Sequence, residues 1–107
     1  MHSSQSAQQQ GYVGLDDDRD GGLTYHGRAV LDARIFGLIP PEETCAGWNL
    51  QRMQDLVTRV NAEWDRHGNI PSRLPDKLRR RHRQEYARRI EKAREAGWDP
   101  DANLEDD

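Results

Sequence analysis

Cysteine is almost absent from this sequence. Cys45 stands alone, so no disulfide can close within the chain, and the covalent staples on which small secreted domains rely are excluded. Long apolar runs are missing as well. The longest, residues 35–39, reads Ile-Phe-Gly-Leu-Ile and falls far short of the ~20 residues that span a bilayer. The start of the chain lacks the basic-then-apolar pattern of a secretory leader, since its first charged residue is Asp16. These absences point away from membranes and toward the cytoplasm. Also missing are a phosphate-cradling glycine loop, paired carboxylates in an ordered segment and a nucleophile spaced from its base. The expectation is therefore a protein that is not an enzyme, with no cofactor and no metal.

What is present is largely polar. Of 107 residues, 34% are hydrophobic and 33% charged, so the core must be modest. Residues 1–24 hold four Gln, four Asp, four Gly and three Ser among few apolar side chains. Such a stretch buries too little to offset chain entropy and reads as a disordered tail. Residues 99–107 read as a short acidic tail. Residues 25–98 are left for one helical domain, whose single core supplies only about 3–5 kcal/mol.

Charge is segregated along the chain. Residues 1–24 carry −3, residues 25–72 carry −1, residues 73–96 carry +6 and residues 97–107 carry −5, for a total of −3. A basic block thus sits between acidic flanks. Such asymmetry bears on partners more than on fold.

Periodicity places the helices. Residues 27–36 are apolar on more than one side, and Gly37 with Pro40 and Pro41 closes them. Residues 41–46 suit a short helical turn, with Pro41 at its first position and Glu42 and Glu43 at its positive end. Leu50, Met53, Leu56, Val57, Val60 and Trp64 form one face of an amphipathic helix, with Asn49 as its cap and Gly68 as its stop. A stiff linker with Pro71 and Pro75 follows, pinned to the core by Ile70 and Leu74. Residues 75–96 form the longest helix, with Leu78, His82, Tyr86, Ile90 and Ala93 on a narrow stripe. Gly97 ends it, and Trp98 packs back on its last turn. Ala46-Gly47-Trp48 echoes Ala96-Gly97-Trp98, which reads as reuse of helix-closing chemistry. No stretch alternates with the period of a strand. The fold class is all-α, a small bundle of three to four helices with a disordered acidic N-terminal tail and a short acidic C-terminal tail.

The basic block carries the main functional signal. Lys77, Arg79, Arg80, Arg81 and Arg83 fall within seven residues without an acid among them, and Arg88 and Lys92 extend the same helix. The plain alternative is a solvated face balanced by Asp76–Arg80 and Glu85–Arg89 pairs one turn apart. The like charges at Lys77–Arg81 and Arg79–Arg83 repel, however, and that local cost favours a contact surface. An acidic protein partner suits it, because the arginine fork grips carboxylates in pairs. Nucleic acid is the second choice. The chain is acidic, with a pI near 5.8, no exposed aromatics interleave with the arginines, and the linker is long for a helix-turn-helix.

Other candidates are weaker. Asp16-Asp17-Asp18-Arg19-Asp20-Gly21 resembles the opening of an EF-hand calcium loop. The position where that family places a bidentate carboxylate is Gly27, so the resemblance covers half the loop. Cys45 with His26, His67 or His82 as a base lacks any supporting spacing and reads as a buried filler. Trp48, Trp64 and Trp98 read as structural, one of them free to anchor an interface. The Gln- and Ser-rich residues 3–10 read as a tether.

Overall fold

A computed structural model describes residues 11–97. It contains three α-helices, α1 (Tyr25–Ile35), α2 (Leu50–Arg66) and α3 (Asp76–Glu95), with short 3-10 turns at Leu15–Asp17, Arg19–Gly22 and Pro71–Arg73. Among the described residues there is no strand, only an isolated bridge between Gly11 and Asn49. The all-α expectation holds, with three helices. Residues 1–10, Trp98 and the acidic residues 99–107 lie outside the described part, and with them the expectations of a tether, a folded-back tryptophan and an acidic tail.

The helix boundaries follow from capping. Thr24 accepts from the Gly27 amide at 3.1 Å, so α1 begins two residues before the start that periodicity suggested. Asn49 caps α2 as expected, accepting from the Arg52 amide at 2.8 Å. Both α1 and α2 end in a Schellman closure. Leu38 donates to the Ala33 carbonyl and Asn69 to the Trp64 carbonyl, with Gly37 and Gly68 at positive φ between. Gly97 closes α3 with a bond to the Arg94 carbonyl.

α1 is the central element. It buries Gly27, Ala29, Val30, Leu31, Ala33 and Ile35, which explains its apolar residues on more than one side. α2 lays Met53, Leu56 and Val60 against it. These three join Val30, Leu31 and Ala33 of α1, with Leu15, Ile39 and Cys45, in the core cluster. α3 contributes less: only Arg89 and Ala93 are buried, and Leu78, His82, Tyr86 and Ile90 are half-buried along the expected stripe. It runs antiparallel to α1, since Arg81 lies by the Arg34 carbonyl, Tyr86 by Asp32 and Ala93 by Gly21. The starts of α1 and α2 and the end of α3 therefore share one end of the bundle.

Several expectations are corrected. Residues 11–24, read as part of a disordered tail, are folded. Tyr12 exchanges backbone hydrogen bonds with Gly47 and Trp48, and the Leu15 amide donates to the Thr44 carbonyl at 3.0 Å. Leu15 is fully buried in the core, a gain of about 1.5–3 kcal/mol. Asp18 gathers the Tyr12 hydroxyl at 2.6 Å, the Arg19 amide at 2.7 Å and the Thr24 hydroxyl. Residues 41–46 do not form a helical turn; Cys45 takes a positive φ of 64°, and its amide donates to the Glu43 carboxylate. Gly47 belongs to the pairing with Tyr12, so the Ala46-Gly47-Trp48 echo is not a helix closure. In the linker, Leu74 is buried as expected but Ile70 is 45% exposed.

Candidate functional site

The helix that carries the basic block stands at the surface because its inward stripe is narrow. Lys77, Arg80, Arg81, Arg83, Arg88 and Lys92 are exposed, and Arg79 is half-buried. The structure thus gathers all seven on α3. The ion pairs differ from those read from spacing. Asp76 takes Arg79 at 2.7 Å rather than Arg80, and Glu85 takes Arg88 at 3.8 Å rather than Arg89. Arg80 is thereby left without a carboxylate partner among the described residues, as are Lys77, Arg81, Arg83 and Lys92. Arg89 turns inward to Asp16 at 3.3 Å, only 6% exposed, with its Nε unpartnered among the described residues.

One flank of this helix is apolar. Pro71 and Ser72 from the linker face His82, Tyr86, Ala87 and Ile90 across a groove of about 410 Å³, and Arg79 and Arg83 reach its lining. Sequence reasoning placed the cations but not this groove, because Pro71 meets α3 only after the linker has turned.

Beneath the groove lies a polar hub that the sequence reading missed. Asp32 of α1 accepts from the Tyr86 hydroxyl at 2.7 Å and from the Trp64 indole N–H at 3.0 Å. His82 stacks on Tyr86 with centroids 4.5 Å apart and meets Trp64 edge-on at 5.7 Å. Burial pushes the Asp32 carboxyl above the ordinary carboxylate range, against the lowering effect of those two donors. Burial also pulls the His82 imidazole down, with Asp32 opposing. Each Asp32 oxygen is bonded, so the hub pins three helices together. A signal for it was present: Asp32 is the one acid in the apolar stretch of α1, and a buried Trp and Tyr each need a polar partner.

The remaining candidates resolve into structure. Asp16 pairs with Arg89 and Asp18 is taken by Tyr12 and Thr24, so the acids of the half-matching calcium loop are spent separately. Among the described residues no three His, Cys, Asp or Glu side chains converge as metal ligands. Cys45 is fully buried, and its thiol is pushed up to about 11, by burial first and Glu43 second; such a thiol is a poor nucleophile. The histidines sit instead on aromatic rings: His26 by Tyr12 and Tyr25, His67 by Phe36.

A second, larger groove lies at the shared end of the bundle. It measures about 860 Å³ and is bounded by residues 11–13, the starts of α1 and α2, and Trp48. Val13, Tyr25 and Leu50 line it at 56%, 70% and 61% exposure. Leu50 was expected to face the core. At the first position of α2, however, it lies beyond the layer that Met53 closes.

No helix among the described residues is long and apolar enough to cross a membrane. No family model matches the chain, and neither a curated protein nor a solved structure matches it.

Proposed function

We propose that this chain is a small, non-catalytic accessory or regulatory module that docks an acidic protein segment on α3. The observation that carries the reading is the side-by-side placement of an apolar groove and a row of cations, most of them without a carboxylate partner among the described residues. Arg79 and Arg83 reach the groove, and Arg80 and Arg81 stand on the exposed side of the same helix. An acidic segment with one apolar anchor would satisfy both features, its side chain against Tyr86, Ala87 and Ile90 and its carboxylates on the arginine forks. A phosphate backbone would use the cations and leave the apolar floor empty, which ranks nucleic acid second. A lone thiol suits a reducing compartment, so we place the module in the cytoplasm.

The test compares the full chain with its Arg80→Glu/Arg81→Glu/Arg83→Glu variant. Each is titrated with an acidic peptide carrying a central Leu or Phe, and with single-stranded DNA and RNA, over a salt series. Peptide binding that is lost in the variant supports the reading. Nucleic-acid binding that falls steeply with salt would replace it with the alternative. Binding of neither at low salt removes both.

A further inference from the structure

The cationic face of α3 has a candidate occupant in the chain itself. We propose that residues 98–107 fold back along α3 in the same molecule. Leu104 then sits in the apolar groove beside Ala87 and Ile90, with the acids on either side of it on Arg94, Arg83 and Arg80. The inference rests on the docking reading in taking the same face, and it names the acidic segment nearest to that face.

α3 offers such a segment a continuous strip. Arg80, Arg83, Ala87, Ile90 and Arg94 recur at spacings of three and four, so they share one flank of the helix. Ala87 and Ile90 line the groove of about 410 Å³, and Arg83 reaches its lining. Arg80, Arg83 and Arg94 are exposed, and none of them has a carboxylate partner among the described residues. Glu91 stands beside Arg94, one acid against three cations. Asp76, at the far end, is taken by Arg79 at 2.7 Å. The strip is thus basic at both ends and apolar in the middle.

The described part ends on the same helix. Gly97 donates to the Arg94 carbonyl at 3.0 Å and takes a φ of 104°, which closes α3 one turn past the strip. From Gly97 back to Ala87 is about 15 Å along the axis. Leu104 can reach up to about 23 Å from Gly97, which covers that return and the step onto the groove flank. Asp99 and Asp101 then fall level with Arg94, and residues 105–107 with Arg83 and Arg80.

The chemistry matches in kind and in order. Residues 98–107 carry five carboxylates and no base, with Leu104 between Asp101 and Glu105. An acid–apolar–acid run meets a cation–apolar–cation strip. Other pairings fit less well. The larger groove at the shared end of the bundle is lined by Arg19 with Asp18 beside it. On the opposite flank of α3, Arg88 is on Glu85 at 3.8 Å and Arg81 donates to the Arg34 carbonyl at 3.5 Å. Residues 1–10 contain no acid at all.

The experiment is NMR of the full chain at two protein concentrations. The expected result is nuclear Overhauser contacts from the Leu104 methyls to the Ala87 and Ile90 methyls, unchanged on dilution. Arg80→Glu/Arg83→Glu and, independently, Glu105→Lys/Asp106→Lys should each abolish these contacts while the Leu15 and Val30 methyl shifts stay in place. Four results would overturn the proposal. These are no contacts, contacts that vanish on dilution, contacts to Val13, Tyr25 and Leu50 instead, or contacts that survive both charge reversals. The peptide titration keeps the two readings apart. Contacts without peptide binding by any variant leave this inference standing and remove the docking reading; peptide binding without contacts does the reverse.

Discussion

Residues 11–24 and α3 are both markedly polar, and they touch across Gly21. The first has only Tyr12, Val13, Leu15 and Leu23 as large apolar side chains and no period, yet its backbone is locked. The second has a regular stripe, yet buries little beyond Arg89 and Ala93. Burial alone does not account for the contrast. In residues 11–24, Tyr12 and Leu15 bond to residues 44–48, and Asp18 is a local acceptor for three donors. α3 satisfies its own backbone and needs its neighbours only along one edge. Order therefore follows from where polar groups find partners, as well as from how many apolar atoms are hidden.

The largest expected effect tests that contrast at its core. Leu15→Ala should cost about 2–5 kcal/mol, because the side chain is fully buried among α1 and α2 residues. Leu78→Ala, on the half-buried stripe of α3, should cost clearly less in the same urea titration. Equal costs would erase the distinction between the two regions. Next come the glycines where they meet other elements. Gly21→Ala would place a Cβ against the α3 backbone at a φ of +65°, and Gly27→Ala would drive one into the Gly22 carbonyl. Each should cost about 1–3 kcal/mol. Neither neighbour is the loose end of a side chain, so neither can step aside cheaply. Gly37→Ala is the control. Its φ is also positive, but a Cβ there meets nothing.

These positions also mark how far the sequence could be read. The α2 face, its Asn49 cap and the α3 stripe were legible because amphipathic periods and caps are local signals. The folding of residues 11–24 was not, because its partners lie some 30 residues away in residues 44–49. Counting apolar residues undervalued one leucine in the right place. The seven cations were legible as a set, but their pairings were not. Rotamer geometry chose Asp76–Arg79 and Glu85–Arg88, and Asp16 drew Arg89 inward. Both grooves were invisible, since each is closed by elements distant in sequence. Asp32 could have been suspected, but its two donors come from α2 and α3.

Asp32 supplies the next effect in size and a sign that can be checked. Its carboxyl is raised by burial, so the folded state holds the proton at a pH where the unfolded chain has released it. The stability that Asp32 contributes is full below the ordinary carboxylate range and is lost as pH rises through the raised value. Asp32→Asn removes that loss. It also sets an amide N–H against one of two donors, at a cost of about 1 kcal/mol or more. His82 has the opposite sense: its lowered value means stability declines as pH falls below about 6.5. Thermal melts of Asp32→Asn and His82→Gln across pH 4 to 8 should each flatten one limb, the acidic-to-neutral loss and the decline on acidification respectively. If both limbs persist in both variants, the hub does not govern the pH dependence.

The smallest effect on stability falls on the residues given the functional role. Arg80, Arg81 and Arg83 have no carboxylate partner among the described residues, and all three are exposed. Reversing one of them to Glu should change stability by no more than about 0.5 kcal/mol. Arg80→Glu and Arg81→Glu also relieve repulsion within the block, so slight stabilisation is the expected direction. The neighbouring pair Arg88 and Arg89 sharpens the point. Arg88→Ala should be close to neutral, whereas Arg89→Ala removes a buried side chain and leaves Asp16 without its cation. A chemical-denaturation series over these variants separates the outer face of α3 from its inner edge. Cations that can be reversed without loss of stability, on a helix that also borders an apolar groove, are free to answer to a partner. If reversing them unfolds the domain, they are bound into the fold and the docking role has no surface to rest on.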